Sequence, residues 1–227
     1  MLGSIVYRNN LCYGFAINIR METSMKTSIK SCILATTALI LTSCANFSGP
    51  SGDQWTTLFD KNSNLNQWTQ VGNANWRIQH GSLQADFLVS KDPSYLVNKT
   101  KFKDFQIYSE FWADAQTNSG IFIRCSNPEK ISAVDCYEVN IWDSRPDPSY
   151  GTAAIVDVAK VTAPYPQAGG KWNVLEITAQ GNQLIVKLNG QETVNTTDNR
   201  LKDGALALQY GSGVIKFRKV LIKKLNN

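Results

Sequence analysis

Helical periodicity is what this chain most plainly lacks. Past Cys44 no segment keeps apolar residues at the three-and-four spacing of an amphipathic helix, which excludes helical bundles and strand-helix-strand folds. Histidine is nearly absent: His80 is the only one in 227 residues, and it sits at a turn where a structural role is expected. With no second histidine, and with the late cysteines beside strand ends, the usual zinc sites are not expected, although an oxygen-ligand site for a divalent cation such as Ca²⁺ stays open. There is no phosphate loop, no nucleophile elbow and no dinucleotide fingerprint.

A massed charge of one sign is missing too. The net charge is +5, but Arg8, Arg20, Lys26 and Lys30 against Glu22 place three of those charges ahead of Cys44, and the remainder is nearly neutral. No nucleic-acid partner is expected, because phosphate-driven binding needs clustered Lys and Arg on one surface. The basic finish from Lys216 to Lys224 reads as the solvated face of a last strand.

The apolar stretch 33–41 is too short to span a bilayer, but it follows the cations Lys26 and Lys30 and closes on Leu41-Thr42-Ser43-Cys44. Residues 25–44 therefore read as an export signal ending in a sequence similar to the bacterial lipobox, whose cysteine is acylated. Residues 1–24 read as an upstream over-extension of the reading frame, since Met25 begins a complete signal by itself. The polar Gly, Ser and Pro residues of 45–53 form a tether, and 54–227 a single domain. Lipid on Cys44 would anchor the protein in the bacterial cell envelope without spanning it, and Asn46 after the cysteine favours the outer membrane or periplasmic side.

Within 54–227, short alternating runs rich in aromatic and β-branched residues recur between Gly, Asn and Pro. Strands are expected at 76–83 with a turn at His80-Gly81, and at 83–89, 105–113, 120–125 and 136–142. Others follow at 174–179, 184–188 and 192–194, joined by Gly181-Asn182 and Asn189-Gly190, dipeptides that suit tight hairpins, and then at 205–209 and 214–222. Residues 145–160 read as a long loop with one short strand at 153–156. Strands this numerous imply an all-β fold of two stacked sheets.

Side chains alternate across a strand, so each run splits into two faces. Phe105, Ile107, Ser109, Phe111 and Ala113 oppose Gln106, Tyr108, Glu110 and Trp112. Ile121 and Ile123 oppose Gly120, Phe122 and Arg124, while Tyr137, Val139 and Ile141 oppose Glu138, Asn140 and Trp142. In each pair the first set is mostly aliphatic, and the second mixes carboxylates, an arginine, amides and large aromatics. If those second sets share one hollow they suit a sugar, whose C–H faces stack on rings and whose hydroxyls meet fixed donors and acceptors. An ordinary solvent-facing side is the plainer alternative, in which Glu138 and Arg124 would form a cross-strand ion pair. Asp143, just past the strand end, would either cap the next loop or reach over the groove.

Cys125 and Cys136 remain in the domain. Directly opposite one another in a regular hairpin they would set Ile123 against Glu138, so either a bulge intervenes and they bridge, or the thiols stay free.

The residues also resemble a known family. Trp55-Thr56-Thr57-Leu58-Phe59-Asp60, Leu65-Asn66-Gln67-Trp68 and His80-Gly81-Ser82-Leu83 are similar to the opening of the family formerly called DUF1080, now described as 3-keto-disaccharide hydrolases. Asn118-Ser119-Gly120-Ile121-Phe122-Ile123-Arg124, Tyr137-Glu138-Val139-Asn140-Ile141-Trp142-Asp143 and Gly204-Ala205-Leu206-Ala207-Leu208-Gln209 extend the likeness over nearly all of the domain. The resemblance implies a concanavalin A-like jelly-roll sandwich of two antiparallel sheets and an activity on 3-keto-glycosides, in which C2 proton abstraction expels the C1 group and water then adds. It implies catalytic roles for Glu138, Arg124 and Asp143, with Glu110, Trp112, Asn118, Phe122, Asn140 and Trp142 binding substrate. The chain departs from the family at His80, where Asp is common, at Asn140, where Gln is frequent, and after Asp143. A lectin-like module that binds sugar without reacting is the alternative, and a purely structural lipoprotein a third.

Overall fold

The structure, a computed structural model, describes residues 49–225, so the expected export signal and the expected acylation site Cys44 lie outside the described residues. Thirteen strands run along the described chain. They are β1 (Thr56–Phe59), β2 (Trp68–Val71), β3 (Arg77–Gln79), β4 (Ser82–Ala85), β5 (Ser94–Phe102), β6 (Phe105–Ala113) and β7 (Asn118–Cys125). After these come β8 (Tyr137–Ile141), β9 (Trp172–Gln180), β10 (Gln183–Leu188), β11 (Gln191–Thr197), β12 (Gly204–Ser212) and β13 (Ile215–Lys224). One antiparallel sheet has the order β11-β10-β9-β6-β13-β4-β3, with β1 also pairing β13; the other has the order β2-β5-β12-β7-β8.

The expected alternation appears as the core between the sheets. Phe105, Ile107, Phe111 and Ala113 of β6 pack in one cluster with Ile121 and Ile123 of β7 and with Tyr137, Val139 and Ile141 of β8. Residues this consistently apolar at every second position can bury only by facing a second sheet. His80 and Gly81 both take positive φ, 49° and 72°, in the two-residue β3–β4 turn, the twist a tight hairpin needs.

The strand reading missed β1, β2 and β5. Asn98-Lys99-Thr100-Lys101 within β5 resembles a loop by composition, but β2 and β12 hydrogen-bond to that strand from either side. Pairing on both edges outweighs local propensity. Residues 153–156 form no named strand: Ile155 makes an isolated bridge to Val139, and the segment runs beside β8 within a long irregular loop.

Cys125 and Cys136 are bridged, with their Cα atoms 4.2 Å apart. The register from Phe122↔Glu138 to Ile123↔Tyr137 is regular, and the pairing of β12 with β7 then shifts between Ala205 and Ala207. Arg124, at φ 51°, is the extra residue that lets Cys125 face Cys136.

Candidate active site

Two sheets mean two outer faces, and the polar residues that alternation grouped together are divided between them. Gly120, Phe122, Glu138 and Asn140 share the outer face of the five-stranded sheet. Glu110 and Trp112 belong to β6 and point outward from the other sheet, on the opposite side of the molecule. There Glu110 is ion-paired with Arg218 and, at 3.4 Å, with Lys219, while Lys216 stands 4.8 Å from the Trp112 ring centroid.

Arg124 is on neither outer face. The bulge turns its side chain inward, where it is 1% exposed. Its Nε donates to the Lys103 carbonyl at 2.9 Å, Nη1 to Gly181 O at 2.9 Å and to Leu201 O at 3.1 Å, and Nη2 to Asp104 Oδ1 at 3.1 Å. Burial pulls this guanidinium's pKa down, opposed by Asp104. The cross-strand pair with Glu138 is therefore absent, and Arg124 is a clamp among three chain turns. Asp143 is likewise committed: its carboxylate accepts from Thr152 Oγ1 at 2.6 Å, from Ala168 N, and from Gly169 N at 2.7 Å, fixing the loop after β8 to residues 168–169. It also lines a cavity of about 450 Å³ with Trp112, Asp114 and Gln167, on the Trp112 side.

What does assemble is a field around Glu138. Strand pairing lays out two rows across the five-stranded sheet: Val71, Tyr95, Gln209, Gly120 and Asn140 in one, and Thr69, Val97, Ala207, Phe122 and Glu138 in the other. Tyr95 packs edge-on against Phe122, with ring centroids 5.3 Å apart. Ile131, from the loop closed by the disulfide, joins Tyr95, Val97, Phe122 and Ala207 in a second apolar cluster. On the β8 side Val156 N bonds Glu138 O, and Asn140 Nδ2 donates to Tyr150 O at 2.7 Å, so the loop after β8 walls the field.

Glu138 is 9% exposed, and among the described residues its carboxylate has neither a hydrogen bond nor an ion pair. Burial pushes its pKa up to about 7, with Arg145 opposing the rise and Asp157 adding to it. A carboxyl group tuned near neutrality can both take and return a proton. The Tyr95 phenol is raised, chiefly by burial, with Gln209 opposing and Glu138 adding, so it stays a donor at neutral pH.

Asn140 Oδ1 and Gln209 Oε1 are buried with no hydrogen-bond partner, and each flanks Gly120 from a neighbouring strand. A Cβ at Gly120 would stand 3.0 Å from Val139 O and 3.5 Å from Gln209 Oε1, so the missing side chain is what keeps this cradle open. Farther along the face a groove of about 490 Å³ has Val71, Val97 and Ala205 in its floor, with Lys99, Lys101, Pro128 and Glu129 around it. That groove does not enclose Glu138; the sheet rows connect them through Ala207 and Phe122.

Of the other expected ligand residues, Asn118 lies at the start of β7 beside Gly211, half-buried. Trp142 follows β8; its Nε1 donates to Ser144 Oγ at 3.0 Å, and the Arg145 guanidinium sits 5.3 Å from its ring centroid. Tyr95, Gln209, Arg145 and Asp157 were not anticipated. Only Gln209 carried a sequence signal, since Ala205, Ala207 and Gln209 alternate against Leu206 and Leu208. Among the described residues no three His, Cys, Asp or Glu side chains converge as a metal cluster.

Two antiparallel sheets with a polar and aromatic outer face define a lectin-like sandwich, and solved structures share it. A Parabacteroides distasonis protein described as a candidate glycosyl hydrolase superposes with a TM-score of 0.67 at 16% identity, covering 78% of this chain and 99% of that one. A second from the same organism gives 0.58 at 22%, covering 75% and 99%. The carbohydrate-binding module CBM66 from Bacillus subtilis gives 0.54 at 18%, covering 71% and 98%. No curated protein matches the chain. Residues 54–223 match the model of the 3-keto-alpha-glucoside-1,2-lyase-like domain, and the chain belongs to that family. Its function is carbohydrate-related.

Proposed function

We propose that the domain cleaves 3-keto-glycosides with Glu138 as the acid-base group. The observation that carries this reading is the buried, unpartnered Glu138 carboxyl with a pKa near 7, on the sheet face where Tyr95, Asn140, Gln209 and Arg145 gather. A ketone at C3 acidifies the C2–H. Glu138 takes that proton, the electrons form an enolate between C2 and C3, and collapse of the enolate expels the C1 oxygen substituent, which leaves as its alcohol once protonated. Water then adds at C1 of the enone, and a proton returns to C2. With Arg124 occupied elsewhere, Arg145 is the cation that would balance the enolate, and the Tyr95 phenol a hydrogen-bond donor for the leaving oxygen. Asn140 and Gln209 would accept hydrogen bonds from sugar hydroxyls.

A second reading is favoured by the commitment of Arg124 and Asp143 to structural bonds: the same face binds sugar without reacting. One substitution separates the two. Glu138→Gln is expected to abolish release of 3-ketoglucose or the glycal from 3-keto-trehalose while changing affinity by less than about tenfold, because the amide keeps the shape and loses the proton transfer. A wild-type protein that binds the sugar and releases neither product would establish the binder instead. We also propose export and acylation at Cys44, supported by the lipobox-like Leu41-Thr42-Ser43-Cys44, which would place the domain on the bacterial cell envelope.

A further inference from the structure

The outer face of the eight-stranded sheet takes no part in the site around Glu138, yet it carries a charge pattern of its own. Alternation along β13 turns Lys216, Lys219 and Lys223 outward, and the register shift between Phe217 and Lys219 brings Arg218 out as well, 4.3 Å from the Trp172 ring centroid. Lys187 of β10 stands opposite Glu176 of β9 on the same face. Glu110, Glu176 and Glu192, the last opposite Lys187 from β11, are the acids among these five cations, and Glu110 is already ion-paired with Arg218 and Lys219. Trp112 and Trp172 face each other across β6 and β9, half-buried beneath Lys216 and Arg218. Indole rings beside cations are the combination that settles at the headgroup level of a bilayer.

The chain also arrives on this face. Gly49 lies so close to Tyr108 that a Cβ there would be 2.8 Å from the ring, and Pro50 lines a groove with Trp55, Tyr108, Glu176 and Lys187. Cys44 precedes Gly49 by five residues, a reach of roughly 17 Å when fully extended. Acyl chains on Cys44 would hold this sheet, and not the opposite one, near the bilayer. Acyl chains fix the attachment point without fixing the orientation, which a charged face against the lipid surface would set.

We propose that the outer face of the eight-stranded sheet docks on an anionic phospholipid surface, leaving the Glu138 face turned away from the membrane; this rests on acylation of Cys44. The test uses the full chain expressed with its own signal, reconstituted into phosphatidylglycerol or phosphatidylcholine vesicles with brominated acyl chains. Tryptophan fluorescence should be quenched at least roughly twofold more in phosphatidylglycerol, and the difference should vanish in high salt, where the attraction is screened. The quadruple charge reversal of Lys187, Lys216, Lys219 and Lys223 to Glu should remove it in low salt. Equal quenching in the two lipids, or a difference that survives high salt, would overturn the docking even if the variant misfolds. Intact mass separates the two ideas: an unmodified Cys44 refutes the anchor and the docking together, whereas an acylated Cys44 with equal quenching refutes the docking alone.

Discussion

Glu138, the proposed acid-base group, sits where burial disfavours its charge. The folded protein keeps its carboxyl proton up to about pH 7, while an unfolded chain releases it near the ordinary 4.5. Between those values the folded state binds more protons, so its stability falls as pH rises through the window, and the deficit is complete above pH 7. Glu138→Gln removes the charge that burial disfavours. It should gain about 2–3 kcal/mol over wild type at pH 8 and nothing near pH 4, which denaturant melts at both pH values would measure. Turnover should behave oppositely in the wild type, rising with pH to a plateau above about 7 as the base ionises, readable from a pH profile of kcat/KM. Glu138, Asn140 and Phe122 were legible because they alternate on strands with strongly apolar partners. Arg145 and Asp157 were not, since a loop has no period to place them.

At the scale of the element, β7 decides the most. A regular strand would have put Arg124 beside Phe122 on the outer face; one positive-φ residue instead sends it inward and brings Cys125 opposite Cys136. That a bridge between these cysteines requires a bulge follows from the hairpin register, but which residue absorbs the bulge does not. Arg124→Ala should cost about 3–5 kcal/mol, because it leaves the Asp104 carboxylate and three carbonyls buried with fewer partners. Sugar affinity per folded molecule should change little, and calorimetry alongside binding of folded protein would show both. Replacing Cys125 and Cys136 with Ser should lower stability by about 3 kcal/mol through the freed loop, read as a shift in the urea midpoint. Strand β5 teaches the same lesson from the other side: its polar middle hid a central strand, and with it Tyr95.

For the whole molecule, the governing fact is which sheet each strand joins. β13, the last strand in the chain, lies between β6 and β4 and also pairs β1, so a chain ending at Gly213 loses the centre of one sheet. Such a truncation should not fold, and one-dimensional proton NMR would show collapse of the dispersed amide signals. The all-β class, the inward set of apolar residues, the hairpin turns and the family likeness are properties of the sequence alone, because period-two alternation and turn chemistry are local. Whether two polar faces look into the same hollow is not local. β6 carries Glu110 and Trp112 in one sheet, β7 and β8 carry Phe122 and Glu138 in the other, and all three strands present the same alternation. Only the pairing of distant strands separates them, and with that separation comes the gathering of Tyr95, Gln209 and Gly120 around Glu138, from segments that nothing in their order along the chain brings together.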